Sequence, residues 1–300
     1  MGLRDEDIVV ASFFNCSVTK GRLRGLAVEG SLIRIPPGYF PDRRVFEDKL
    51  PLVAPGLQGR VYGICTRDSW DTMLKGLQAL LRRYQPSCML HADNGGDGIV
   101  LGYEDRLGSY KTDTVAKALL AEAAENGPRS ITAAGCVGCE GGGTELDEDW
   151  LAADLYYAMR HGALIGAVEP PLSAARDAEL LLRHAESGML PYYLAALRGQ
   201  KKARINMAYL HGEYPIKPWY RLVFLLDTKR YCSLSPLCIT AKGRGAQPLR
   251  MYEKHRPQPP RELREALNQA KRHGIQALMQ RVARKRVSVK TLRRICLGDS

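Results

Sequence analysis

The residues best suited to chemistry lie between Asp93 and Asp113, in the run D-N-G-G-D-G-I-V-L-G-Y-E-D-R-L-G-S-Y-K-T-D. Asp93 and Asp97 flank Asn94, Gly95 and Gly96, and these glycines permit dihedrals and close approaches that a side chain forbids. With Glu104 they form a candidate catalytic set, able to orient a hydroxyl or serve as acid and base. Asp93 and Asp97 could also hold a cation. The competing reading is an acidic turn whose Asp side chains bond their own backbone. A short apolar run over 88–92 predicts a buried strand before the turn, and the Ala-, Leu-, Glu- and Lys-rich stretch 112–126 predicts a helix after it. Ser109 and Asp113 are placed to cap that second turn. A strand running into glycines and carboxylates has the form of the carboxyl edge of an open α/β sheet, where ligands bind.

Two blocks carry a family resemblance. Asp93, Gly95, Gly96, Asp97, Gly102, Glu104, Leu107, Gly108, Ser109 and Asp113 match a pattern of Asp-x-Gly-Gly-Asp, Gly-x-Glu, Leu-Gly-Ser-Pro and a following Asp. Tyr110 stands where that pattern has Pro. Gly135-Cys136-Val137-Gly138-Cys139-Glu140, with Gly141 to Gly143, Thr144, Glu145 and Leu146, resembles a second segment, Gly-x-Gly-x-Asp-Gly-Glu-Leu. The chain thus resembles the family called domain of unknown function 1152 over roughly residues 25–240, with a looser third block from Leu197 to Asp227. The resemblance implies a fold but no established reaction. The family's first strand leads into a glycine-rich loop suited to phosphate. Here residues 15–21 read Asn-Cys-Ser-Val-Thr-Lys-Gly, and that loop is absent.

Combining both blocks gives an expected ligand site of Asn94, Gly95, Gly96, Ser109, Asp113, Gly138, Glu140, Gly141 and Glu145 around the three acids. Oxygen-only ligands suit Mg²⁺, and an anionic or phosphorylated small molecule would be the substrate class. No nucleophile stands out, so the reaction class stays open. Cys136 and Cys139 have the spacing of half a zinc site or a redox pair. A matching second pair is missing, since Cys232 and Cys238 have five residues between them, and zinc is therefore not expected.

Charge supplies the other function class. The chain of 300 residues carries a formal net charge of +12, and residues 241–300 hold 16 Lys and Arg against 4 Asp and Glu. The preceding 240 residues therefore balance. Arg281, Arg284, Lys285, Arg286, Lys290, Arg293 and Arg294 crowd the end, more cations than a helix C-terminus needs for its dipole. Such a footprint fits RNA or an acidic protein partner. A degenerate family member serving as an RNA-binding or structural subunit of a ribonucleoprotein is the alternative to a Mg²⁺-dependent enzyme.

With 45% hydrophobic residues the chain can bury a full core. Predicted strands at 8–14, 32–35, 60–65, 88–92, 131–134, 204–209 and 220–226, with 163–168 a strand or a packing turn, alternate with helices at 69–84 (capped by Thr66 or Asp68), 112–126, 147–160 (capped by Asp147 or Thr144) and 173–187. The alternation predicts an open, mostly parallel doubly wound sheet, Rossmann-like and three-layered, over 1–240. Residues 241–300 read as basic linker and helical tail, with apolar periodicity over 261–286 broken at Gly274. No apolar run approaches a membrane span, Asp5, Glu6 and Asp7 argue against a presequence, and eight scattered cysteines form no dense framework. An intracellular, reducing compartment is expected, the cytoplasm or an organelle matrix.

Overall fold

The computed structural model describes residues 7–16, 22–42, 45, 47–107, 109–139, 147–187, 189–207 and 210–297. In chain order the strands are β1 (Val10–Phe14), β2 (Ala27–Glu29), β3 (Leu32–Arg34), β4 (Val61–Cys65), β5 (Cys88–Asn94), β6 (Arg129–Gly135), β7 (Leu164–Val168), β8 (Lys202–Met207), β9 (Leu210–Pro215) and β10 (Val223–Asp227). The α-helices are α1 (Leu50–Val53), α2 (Trp70–Tyr84), α3 (Lys111–Ala123), α4 (Glu148–Arg160), α5 (Ser173–His184), α6 (Leu190–Leu197), α7 (Thr228–Leu234), α8 (Pro236–Ala241), α9 (Arg261–His273), α10 (Ile275–Ala283) and α11 (Val289–Leu297).

The class is mixed α/β, but the strands do not form one mostly parallel sheet. They make two four-stranded sheets, ordered β1-β4-β3-β2 and β5-β6-β10-β7, and a separate β8-β9 hairpin. Only β1 with β4 and β5 with β6 run parallel among the described pairs. The β2, β3 and β10 pairings are antiparallel. Alternating strands and helices do not fix a sheet. The crossover from β4 through α2 leads into β5 of the other sheet, and β10 inserts between β6 and β7 from far along the chain. Helical periodicity cannot report either choice, because it records only which face of each element is apolar.

One apolar core nevertheless joins both sheets: Tyr62 and Ile64 of β4 share it with Met89, Ala134 and Phe224 of the second sheet. Helix α3 lies between them, packed on β1, β5 and β6, with Val115 and Leu119 fully buried. Local signals set the helix starts. Ser69 accepts the Thr72 N–H at the head of α2, Asp147 accepts the Asp149 N–H at α4, and Asp227 accepts the Arg230 N–H at α7. Thr66 and Asp68, expected as caps for α2, are displaced from that role by Ser69.

The C-terminal stretch is built into this body. Leu249, Tyr252, Leu263, Ala266, Leu267 and Ala270 belong to the same core, and α9 and α10 pack against α4. Ala167 of β7 donates to the Lys285 carbonyl (2.8 Å) and accepts from the Val287 N–H (2.9 Å), so residues 285–287 cover the open edge of that strand. Gly166 makes the approach possible, because a Cβ there would lie 2.5 Å from the Lys285 oxygen. Helix α11 then packs on β5. A disulfide joins Cys16, after β1, to Cys65 of β4, with Cα atoms 4.9 Å apart. The other six cysteines are free. No helix among the described residues is long and apolar enough to cross a membrane.

Candidate functional site

Strands β5 and β6 run parallel in register, Asp93 opposite Ala134 and Asn94 opposite Gly135. Gly95 extends the ladder by donating to the Gly135 carbonyl (2.9 Å). The acidic turn and the loop that follows Gly135 therefore leave the sheet at the same end. Asn94 is exposed there, whereas Gly95 and Gly96 are buried.

Within the acidic block each carboxylate serves its own backbone. Asp93 Oδ2 accepts the Gly98 N–H at 2.8 Å. The two are so close that a Cβ on residue 98 would sit 2.4 Å from that oxygen. Asp97, 4% exposed, takes the Ser109 N–H (3.1 Å) and the Ser109 hydroxyl on one oxygen. Glu104, 1% exposed, accepts from the Leu101 N–H (2.6 Å) on one oxygen and from the Gly102 N–H (2.7 Å) on the other. Ser109 is thus spent on Asp97 and does not cap α3, whose N-cap position is Tyr110 without a side-chain bond.

Beneath these turns lies a buried polar cluster that sequence reasoning missed. Lys117 of α3 is 0% exposed and donates to the Gly98 carbonyl at 2.8 Å, its ammonium 5.4 Å from the centroid of the Tyr231 ring. The Tyr231 hydroxyl donates to the Ile99 carbonyl. Asp154 of α4 is fully buried, with neither oxygen accepting an ordinary donor. Burial, and then the Glu104 carboxylate beside it, push the Asp154 carboxyl well above the usual range. The Asp154 carboxyl therefore holds its proton to higher pH than an ordinary carboxyl, and that proton is the group able to bridge it to Glu104. A sequence signal existed: Asp154 falls four residues after Trp150 and three after Leu151, on the stripe of α4 that must be buried.

The outer part of the block holds Asp93, Asp113 and His91. His91 Nε2 lies 3.6 Å from Asp113 Oδ1, and its buried Nδ1 has no partner. The Asp93 carboxyl, tucked under Gly98, is raised by burial first and by Asp113 second, against the opposing pull of His91, the Gly98 N–H and Lys117. This group can keep a proton at higher pH than an ordinary carboxyl.

Asp93 and Asp97, expected as Mg²⁺ ligands, each direct an oxygen at N–H or hydroxyl donors of their own loop. Among the described residues no group of three or more His, Cys, Asp or Glu is placed to hold a metal ion. Gly138, with φ of 82°, offers its carbonyl to the Tyr220 hydroxyl (2.9 Å), and Trp219 Nε1 donates to the Val137 carbonyl (3.2 Å). Cys136 and Cys139 are buried in this loop, and the Cys139 N–H bonds the Cys136 carbonyl at 3.0 Å. Glu140, Gly141 and Glu145 lie outside the described residues.

Residues expected as linker clamp the acidic block from the far side. The Tyr252 hydroxyl donates to the Gly102 carbonyl (3.1 Å), Arg256 donates to the Glu104 carbonyl, and the Tyr110 hydroxyl donates to the Leu249 carbonyl (2.8 Å). A cavity of about 430 Å³ opens beside them, lined by Tyr103, Asp105, Trp150, Arg256 and Arg264 among others. None of Asp93, Asp97 or Glu104 lines it.

All seven C-terminal cations are exposed. Lys285 donates to the Leu164 carbonyl and Arg286 pairs with Glu169 at 3.6 Å, so these two hold the chain to β7. Arg281, Arg284, Lys290, Arg293 and Arg294 have no ion-pair partner among the described residues. On α11 the cations at 290, 293 and 294 share one face by helical spacing, opposite the buried Leu292 and Cys296.

No curated protein and no solved structure matches the chain. A family model described as Protein of unknown function (DUF1152) matches residues 31–248, a span that contains the acidic turn and the Gly135 loop and ends just before Leu249, Tyr252 and Arg256. That span is more than half of the chain, which therefore belongs to this family of proteins of unknown function.

Proposed function

We propose that this protein binds a polyanion, RNA by its chemistry, through the exposed face of α10, the following turn and α11, and that the acidic turn is architecture for that platform. The observation that carries the reading is the set of five exposed cations, Arg281, Arg284, Lys290, Arg293 and Arg294, without ion-pair partners among the described residues. They ride on elements fixed to the sheet edge through Ala167 and to β5 through Leu292. A fixed array of cations loses little freedom on meeting phosphates and releases their counterions.

The test is fluorescence anisotropy with a mixed-sequence single-stranded RNA over a salt series. Neutralising all five to Gln should lower the slope of log K against log salt by about 3.5, from roughly 0.7 per phosphate on single strands. Lys285 and Arg286 stay in place because they hold the fold. Absence of wild-type binding at low salt, or an unchanged slope in the variant, refutes the reading. Binding of an acidic protein in place of RNA would be the outcome that reassigns the face.

A second reading rests on the Asp93, Asp113 and His91 group at the mouth of the sheet edge. The raised Asp93 carboxyl supports a proton-transfer or anionic-ligand role there. Its test is a melting shift by an anionic small molecule that is lost in Asp93→Asn. A shift retained in that variant removes Asp93 from the role.

A further inference from the structure

The C-terminal helix ends on a cysteine that faces another cysteine from the start of β5. Cys296 is buried on the inner face of α11, and Cys88 is half-buried at the first position of β5. Both belong to the apolar cluster formed by Ile131, Ala133, Leu225 and Leu292, where α11 packs on β5 and the two thiols interact, while the Cys88 Sγ also lies 3.6 Å from the Met89 carbonyl. We propose that Cys88 and Cys296 form a reversible disulfide, driven by a small-molecule disulfide, which locks the helix bearing Lys290, Arg293 and Arg294 onto the central sheet.

The chemistry follows from the pair's asymmetry. Cys296 is lowered to about 7 by the bond it accepts from the Cys88 thiol, with the Arg129 guanidinium adding to the effect. The Cys88 thiol, as donor in a buried place, is pushed up. Cys296 is therefore the nucleophile. Its thiolate attacks a small disulfide RSSR, forming a Cys296–SR bond and expelling one RS⁻. The Cys88 thiol gives up its proton and attacks the Cys296 sulfur, expelling the second RS⁻. Two cysteine thiols are oxidised by two electrons, and RSSR is reduced to two RSH that take up the two protons.

The bond would span two elements distant in sequence and meeting only through packing, which is where a cross-link restrains most chain freedom. The other thiol pairs lack this leverage. Cys232 and Cys238 sit six residues apart on the adjacent helices α7 and α8, and Cys16–Cys65 is already bonded.

The experiment treats the full chain with oxidised glutathione, alkylates remaining thiols with iodoacetamide, and maps peptides by mass spectrometry. The expected result is a Cys88–Cys296 linked peptide, loss of alkylation at both residues, and slower amide exchange over 289–297. In Cys88→Ser the second step is blocked, so glutathione should remain on Cys296. Full alkylation of Cys88 and Cys296 in the wild-type chain after treatment overturns the proposal, as does glutathione accumulating on Cys88 alone. The wild-type map decides the matter even if the variant fails to fold, and it does so independently of RNA binding.

Discussion

Glu104→Gln is the sharpest test of the acidic block as architecture. Glu104 is buried, and its two oxygens accept separate backbone N–H groups, from Leu101 at 2.6 Å and Gly102 at 2.7 Å. Gln keeps the shape but turns one oxygen into a donor, which then faces a donor. The variant loses one charge-assisted bond, about 1.5–3 kcal/mol, and strands a buried N–H, about 1–3 kcal/mol. Together these give a loss of roughly 2.5–6 kcal/mol. Urea denaturation of the full chain at neutral pH reads the change as a lower midpoint at constant slope. A loss below about 1 kcal/mol would refute the argument, because it would mean the turn does not depend on both acceptors. If Glu104 is architectural, the folded fraction of the variant binds RNA with wild-type salt dependence.

Other outcomes follow from the same geometry. Asp154→Asn should gain stability relative to the wild type as pH rises. The native carboxyl is raised while the unfolded one ionises near pH 4, so the wild type loses stability from there up through the native value, and Asn does not. Urea midpoints measured across that range check this, and a difference between the chains that does not vary with pH would rule it out. Gly98→Ala should cost about 1–3 kcal/mol by forcing a methyl to within 2.4 Å of Asp93 Oδ2, read as a lowered melting temperature; an unchanged melting temperature would show that the turn yields freely.

Much of the local structure was legible in the chain. Apolar spacing located α2, α3, α4 and the strands β4, β5, β6 and β10, and the α4 cap is Asp147, one of the two candidates, because these features depend on residues a few positions apart. The 93–113 block was read first as a ligand site, and the competing reading, in which Asp side chains bond their own loop, is the one the hydrogen bonds of Asp93 and Asp97 match.

What the tertiary structure alone decided is everything that turns on pairing across distance. The crossover from β4 through α2 enters a second sheet at β5, and β10 pairs antiparallel between β6 and β7, so two mixed sheets stand where one parallel sheet was expected. Tyr252 and Arg256, in the stretch between 241 and 260 read as linker, lie on the Gly102–Glu104 turn because its backbone carbonyls need donors. Lys117 looks like an ordinary surface charge until packing removes its water and turns it to the Gly98 carbonyl, and the buried stripe that marks Asp154 does not tell that Glu104 lies beside it. Composition determined that the C-terminal fifth is basic. Only the register of residues 285–287 on β7 divides its cations into those that hold the fold and those left facing solvent.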